Sequence, residues 1–266
     1  RKIIGFYCLY SPTEIAIAAN AVPLPLCGTK NDPISVAEEI LPRNLCPLIK
    51  SSFGFAVSGT CPYFNYSDLI VADTTCDGKK KMFELMNDYR PVHVLQLPQN
   101  QDSETSLPMW IEEIKRFRNL VSEVTQQSIE DEDLKKSIKL LNRERRTFKA
   151  LMDLSRQKPS PISGMELLEI MFKTGFFADK EQGIQFIEEV IESIKQRSID
   201  GATQFTEETP RILLTGVPVG IGSDKVIKIV EESGGNVVCF ENCSGYKKTF
   251  QVDETKDPVT ALAEQY

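Results

Sequence analysis

The chain has 266 residues, 41% hydrophobic and 26% charged, with a net charge of −7. That is a globular composition with enough apolar material for about two cores. The acidic balance, with one short basic run at Lys79–Lys80–Lys81, makes nucleic acid a poor partner, and no apolar run reaches the roughly 18 residues needed to span a bilayer.

The opening stretch, RKIIGFYCLYSPTE, has two charges and then an apolar run, but no small-residue cleavage site follows. It reads as a buried first strand of a parallel sheet. SPTEIAIAANA then predicts a helix, with Ser11 as N-cap and Pro12 at the first helical position. VPLPLCG predicts a second strand, near an edge because of its two prolines. ISVAEEIL predicts a short helix. SDLIVADTT is the strongest strand, DGKKKMFELMNDY an amphipathic helix, and PVHVLQLP another strand. This alternation is that of a doubly wound, Rossmann-like α/β domain.

From about residue 105 the pattern changes to apolar residues at three- and four-residue steps, which predicts a series of amphipathic helices. Two start with acidic residues, Asp131–Glu132–Asp133 and Asp179, which suit the positive end of a helix dipole. SIDGATQFTEETP is a polar linker. RILLTGVPVG is a fresh strand. SDKVIKIVEESGG is a helix with Ser223 as N-cap and Gly234 as its stop, NVVCFENC is a strand, and DPVTALAEQY is a last helix. The expected organisation is an N-terminal α/β domain over 1–104, a helical segment over 105–207, and an incomplete second Rossmann-like α/β domain over 208–266. GVPVGIG fits neither the dinucleotide nor the Walker glycine spacing.

Seven cysteines, not packed like a small secreted framework, point to a cytoplasmic chain with reduced or metal-bound thiols. Three of them, Cys46, Cys61 and Cys76, stand 15 residues apart at similar junctions. Cys46 and Cys61 each precede proline, which favours the first turn of a helix. Cys76 lies between a strand and a helix. Helix N-termini carry unpaired N–H groups and partial positive charge, which favour the thiolate. Zinc pairs of the C-x2-C type are absent, and a disulfide is disfavoured by compartment. Iron–sulfur ligation and simple burial as small hydrophobes both stand as readings. Cys8, Cys27 and Cys239 lie in apolar runs and are expected in the core. His93, in PVHVL, is expected to be a hydrogen-bonded core residue. Lys79–Lys81 is expected to be a solvated helix face, with steering of an acidic partner or a phosphate as the alternative. Asp77 is expected to cap its helix.

The stretches LPRNLCPLIKSSFGFA, CPYFNYSDLIVADTTCDGKKKMFELM and VVCFENCSGYK resemble the 2-hydroxyacyl-CoA dehydratase and benzoyl-CoA reductase family, closest to its double-cubane-cluster branch. The resemblance runs along essentially the whole chain. It implies an oxygen-sensitive iron–sulfur cluster, of the 4Fe–4S or double-cubane 8Fe–9S type, held by cysteines. It also implies an ATP-hydrolysing activator protein as electron donor, and a homodimer or a paired homologous subunit. The dehydratases of the family remove water from 2-hydroxyacyl-CoA through a ketyl radical, and the double-cubane branch reduces small molecules. A subunit that only carries a cluster for a catalytic homologue is a third option. On this resemblance Cys46 and Cys76 match the family's N-terminal cluster ligands, and Cys61 the extra cysteine of the double-cubane branch. Cys243 falls in a second-domain motif near the cluster, and Glu14 is a candidate for proton handling. The family's further ligand cysteine has no counterpart, so the expectation is a chain truncated at its C-terminus without a complete ligand set.

Overall fold

Four short apolar stretches line up side by side in the computed structural model, which describes residues 1–266. They are β1 (Ile3–Phe6), β2 (Val22–Pro25), β3 (Leu69–Asp73) and β4 (Val92–Leu95). The sheet order is β2-β1-β3-β4 and every pairing is parallel. β2 sits at an edge, where Pro23 and Pro25 leave few ladder bonds unmade. β3 is buried along its whole length.

The alternation of side chains along β3 divides the core in two. Leu69 and Val71 join Ile4, Phe6 and Leu95 on one face. Ile70 and Ala72 join Leu26 on the other. The first face is covered by α1 (Thr13–Ala18), α6 (Ser106–Thr125), the start of α7 (Asp131–Leu154) and α11 (Pro258–Gln265). Trp110, Ile114, Phe117 and Val121, at three- and four-residue steps on α6, are the buried stripe that does so. The second face is covered by α2 (Ile34–Ala37), α3 (Pro47–Ser58), α4 (Pro62–Tyr66) and α5 (Asp77–Met86), through Phe53, Phe64, Met82, Phe83 and Met86. A parallel sheet covered on both faces is the α/β architecture its continuous apolar strands require.

The chain divides into two compact units, residues 1–139 with 252–266, and residues 140–251. The second unit contains α8 (Gly164–Gly175), α9 (Lys180–Ile199), β5 (Arg211–Leu214), α10 (Lys225–Glu232) and β6 (Asn236–Phe240). β5 and β6 form a two-stranded parallel sheet with a register shift after Ile212. Its core gathers Leu167, Leu168, Ile187, Ile191, Ile227, Val237 and Phe240. No helix is long and apolar enough to cross a membrane.

Most helix ends follow their local chemistry. Ser163 caps α8 by accepting from the Glu166 N–H, and Asp179 caps α9 by accepting from the Glu181 and Gln182 N–H groups. Gly234, at φ +89°, ends α10 as expected. Ser11 is not an N-cap, because α1 starts one residue later, at Thr13 after Pro12, and the buried Ser11 hydroxyl has no hydrogen-bond partner. Ser223 is displaced as a cap by Asp224, since its own hydroxyl closes a turn onto Gly220.

α3 packs closely on the α2 segment at Gly54, where a Cβ would fall 1.9 Å from the Pro33 carbonyl oxygen. Backbone cannot yield as a flexible side chain can. Gly54→Ala should therefore destabilise the protein by about 1–3 kcal/mol, despite the roughly 1 kcal/mol helix propensity gained. The urea midpoint should fall, and an unchanged midpoint would show that the α2 segment moves aside at no cost.

Candidate cluster-binding edge

Parallel pairing sends the exits of β1, β2 and β3 to one edge of the sheet. Beyond β1, the Tyr7 N–H donates to the Val71 carbonyl at 3.0 Å, and beyond β2 the Leu26 N–H donates to the Phe6 carbonyl at 2.7 Å. Cys8 and Cys27 come next on their strands, and Cys76 follows three residues after β3. The expectation of Cys8 and Cys27 in the core is thus corrected. The strands end two residues before each thiol, Cys8 is half-buried and Cys27 is exposed. Cys239 does lie within a strand, β6, and is half-buried.

Cys46, Cys61 and Cys76 are the N-cap residues of α3, α4 and α5. Pro47 and Pro62 open the first two of these helices, so the missing proline N–H costs nothing there. The Cys61 sulfur accepts from the Phe64 N–H at 3.5 Å. Cys46 and Cys76 are exposed. Asp77 does not cap α5. It is the first helical residue, projects into solvent and pairs with Lys80 at 3.2 Å.

Two glycines let the thiol-bearing loops close on each other. A Cβ on Gly78, in the first turn of α5, would come within 2.8 Å of Leu45 and 2.9 Å of Ile49. These residues flank Cys46, so the N-termini of α3 and α5 meet there. A Cβ on Gly28 would lie 2.3 Å from the Ser52 backbone nitrogen. The Gly28 N–H donates to the Ser52 hydroxyl at 2.9 Å, and the Ser51 hydroxyl donates to the Lys30 carbonyl at 2.6 Å. The loop that carries Cys27 is thereby seated on α3. Buried Lys50 fixes the approach to Cys46 through the Glu38 carboxylate at 2.6 Å and the Arg43 carbonyl at 2.7 Å. That hydrogen bond holds the Glu38 carboxyl below its usual range.

The turn from β3 to α5 is made by Asp73, fully buried, whose Oδ1 accepts from the Thr75 N–H at 3.0 Å and from the Thr75 hydroxyl. Its Oδ2 is buried with no hydrogen-bond partner. Burial pushes the Cys8 thiol up to about 12, and the Asp73 carboxylate beside it adds to this, against the pull of Lys79. Burial likewise raises the Tyr7 phenol, with Cys61 and Cys27 as neighbours.

Glu14 lies in the first turn of α1, fully buried, and accepts a hydrogen bond from the Tyr266 hydroxyl at 3.1 Å. Cys243 belongs to the second unit, in the turn after β6, and is half-buried. Asn242 donates to the Val217 carbonyl at 2.9 Å and Ser244 exchanges hydrogen bonds with Val219, which ties this turn to the loop after β5. His93, on β4, stacks on Phe117 with centroids 5.7 Å apart, and its Nε2 has no hydrogen-bond partner. It is a packed residue rather than a hydrogen-bonded one.

No group of three or more Cys, His, Asp or Glu side chains is gathered tightly enough to hold a single metal ion. The thiols are instead spread along the sheet edge. Asp73 is a member of this edge that the motifs did not single out, and Lys79, expected on a solvated face, is half-buried there. A charged residue closing a fully apolar strand, at Asp73, was the available signal.

A model of the 2-hydroxyglutaryl-CoA dehydratase D-component family matches residues 8–266. The chain belongs to that family. It is 43% identical over 265 residues to YjiM of Escherichia coli K12, a protein named as a dehydratase subunit, which covers 99% of this chain and 69% of that protein. It is 24% identical to the (R)-phenyllactyl-CoA dehydratase beta subunit of Clostridium sporogenes, over 100% of this chain and 69% of the relative. It is 22% identical to a benzoyl-CoA reductase subunit of Thauera aromatica, over 72% of this chain and 50% of the relative. The resemblance read from the cysteine motifs is therefore borne out at the level of the family, and the chain spans 69% of the length of the first two of these relatives.

Exposure and charge along this edge predict an order of thiol reactivity. With the Cys8 thiol at about 12, roughly one molecule in ten thousand carries its thiolate at pH 8. Timed alkylation with peptide mass spectrometry should find Cys8 labelled much more slowly than exposed Cys27. Equal rates would mean that Cys8 is more open than its surroundings indicate.

Proposed function

We propose that this family member is an iron–sulfur subunit of the double-cubane type, which takes low-potential electrons from an ATP-hydrolysing activator and reduces small molecules. The observation that carries the reading is the shared position of Cys46, Cys61 and Cys76, each at the N-cap position of a helix. The donor set fits the chemistry: thiolates are the protein ligands of such clusters, and the unpaired N–H groups of helix first turns stabilise their charge. Cys46, Cys76 and Cys61 would hold the cluster. When bound, the cluster would supply one-electron chemistry at low potential. The chain's own part is to orient the ligands, through Gly78 and Gly28, and to keep Glu14 buried with Tyr266 as a proton-handling pair.

A second reading is a subunit of a 2-hydroxyacyl-CoA dehydratase, and the names of the relatives favour it. In either case the relatives are named as subunits, which supports assembly with a second copy or a homologous partner. A subunit that only carries the cluster would show no turnover until that partner is added.

Iron and acid-labile sulfide per chain, in protein purified without oxygen, separate these readings. About eight irons are expected for a double cubane and about four for the dehydratase type. Absence of both iron and sulfide would overturn both readings. Cys61→Ser keeps an N-cap side chain, so the fold should persist, and iron should fall by about half as one of two cubanes is lost. Unchanged iron in Cys61→Ser would favour the single-cubane dehydratase.

A further inference from the structure

The lysine run at the start of α5 is not one solvated face. Lys80 pairs with Asp77 at 3.2 Å and Lys81 with Glu84 at 2.7 Å. Lys79 forms no such pair. It is half-buried, and its Nζ points at the Cys8 sulfur, 3.9 Å away. A cation in the first turn of a helix opposes the helix dipole, and partial burial adds a desolvation cost. Both costs demand facing negative charge. Burial works to lower the Lys79 ammonium, yet Cys8, Asp73, Cys27 and Cys76 together raise it. Asp73, with its unpartnered Oδ2, is the carboxyl group among them.

We propose that Lys79 is the counter-cation of the thiol-bearing edge, placed beside Cys8 to stabilise negative charge when it develops on the sulfur atoms there, and a positioning residue that raises the reduction potential of the group held by Cys46, Cys61 and Cys76. The second half of this inference rests on the cluster-binding reading above. Lys79 need not touch the cluster. It acts through space, by opposing the extra negative charge that reduction adds.

Two variants test it. Lys79→Gln removes the charge and keeps a good helix former, and Lys79→Arg keeps the charge. In protein as purified, alkylation of Cys8, normalised to Cys239, should slow in Lys79→Gln by about sixfold or more, the effect of a charge at 3.9 Å screened as in bulk water. Lys79→Arg should stay near wild type. In a dye-mediated redox titration followed by electron paramagnetic resonance, Lys79→Gln should move the midpoint to a more negative value. The expected size is a tenfold change in the reduction equilibrium, about 59 mV for one electron, with iron content unchanged. An unaltered Cys8 rate in Lys79→Gln would overturn the counter-cation role, whether or not the protein holds iron. A slowed Cys8 with an unmoved midpoint would overturn the link to the cluster. Wild-type protein without iron would sink the function proposed above, while the alkylation result would still decide the role of Lys79.

Discussion

Parallel pairing is the constraint on which the rest of the first unit depends. Because β1, β2 and β3 all run the same way, their exits share one edge, and each exit carries a thiol. Both faces of the sheet are closed by helices, so Leu69, Ile70, Val71 and Ala72 leave no room for polar groups along β3. Charge and reactivity can collect only past the carboxyl ends, where backbone N–H groups of the next helices stand unpaired. Asp73 marks the boundary. It is the last residue of the apolar strand and the first charged group of the edge.

Close approach then does what ligand spacing in the sequence does not. The three capping thiols stand 15 residues apart, and none belongs to a compact metal-binding motif. Gly78 brings the first turn of α5 against Leu45 and Ile49, and Gly28 brings the exit of β2 against α3. A side chain at either position would have to displace neighbours at 2.3–2.9 Å. At Gly78 those neighbours are the flexible ends of Leu45 and Ile49. At Gly28 they are mostly backbone, so that position is the stricter of the two. Lys50 serves the same end electrostatically, since its ammonium gathers the Glu38 carboxylate and the Arg43 carbonyl just ahead of Cys46.

Much of this was legible in the residues, for stated reasons. Unbroken apolar runs announced buried parallel strands, and Cys-Pro announced thiols at helix starts, because proline tolerates few other places in a helix. Partners were less legible than elements. The stripe on α6 and the apolar residues of α11 show that each helix is buried, but not that both lie on the same face of the first sheet. An amphipathic pattern specifies a face and not its neighbour. Cys8 and Cys27 were misread because an apolar run does not show where its strand stops. The paired register ends at Phe6 and Pro25, Tyr7 and Leu26 each donate one last bond to the neighbouring strand, and the chain leaves the sheet after them. The lysine run hid a division that only packing makes, with one ammonium turned inward and two paired on the surface.

Cys243 tests how far the arrangement is a rule. Like Cys8, Cys27 and Cys76, it follows a parallel strand at its carboxyl end. Unlike Cys46, Cys61 and Cys76, it caps no α-helix. Its turn is held instead by Asn242 and Ser244, whose side chains satisfy the backbone of the loop after β5 at Val217 and Val219. Such a turn fixes the position of the thiol without offering it the N-terminal charge of a long helix. A cysteine of this kind has its place set by neighbouring hydrogen bonds. That difference sets Cys243 apart from the three capping thiols on physical grounds, and the resemblance in its surrounding sequence does not remove it.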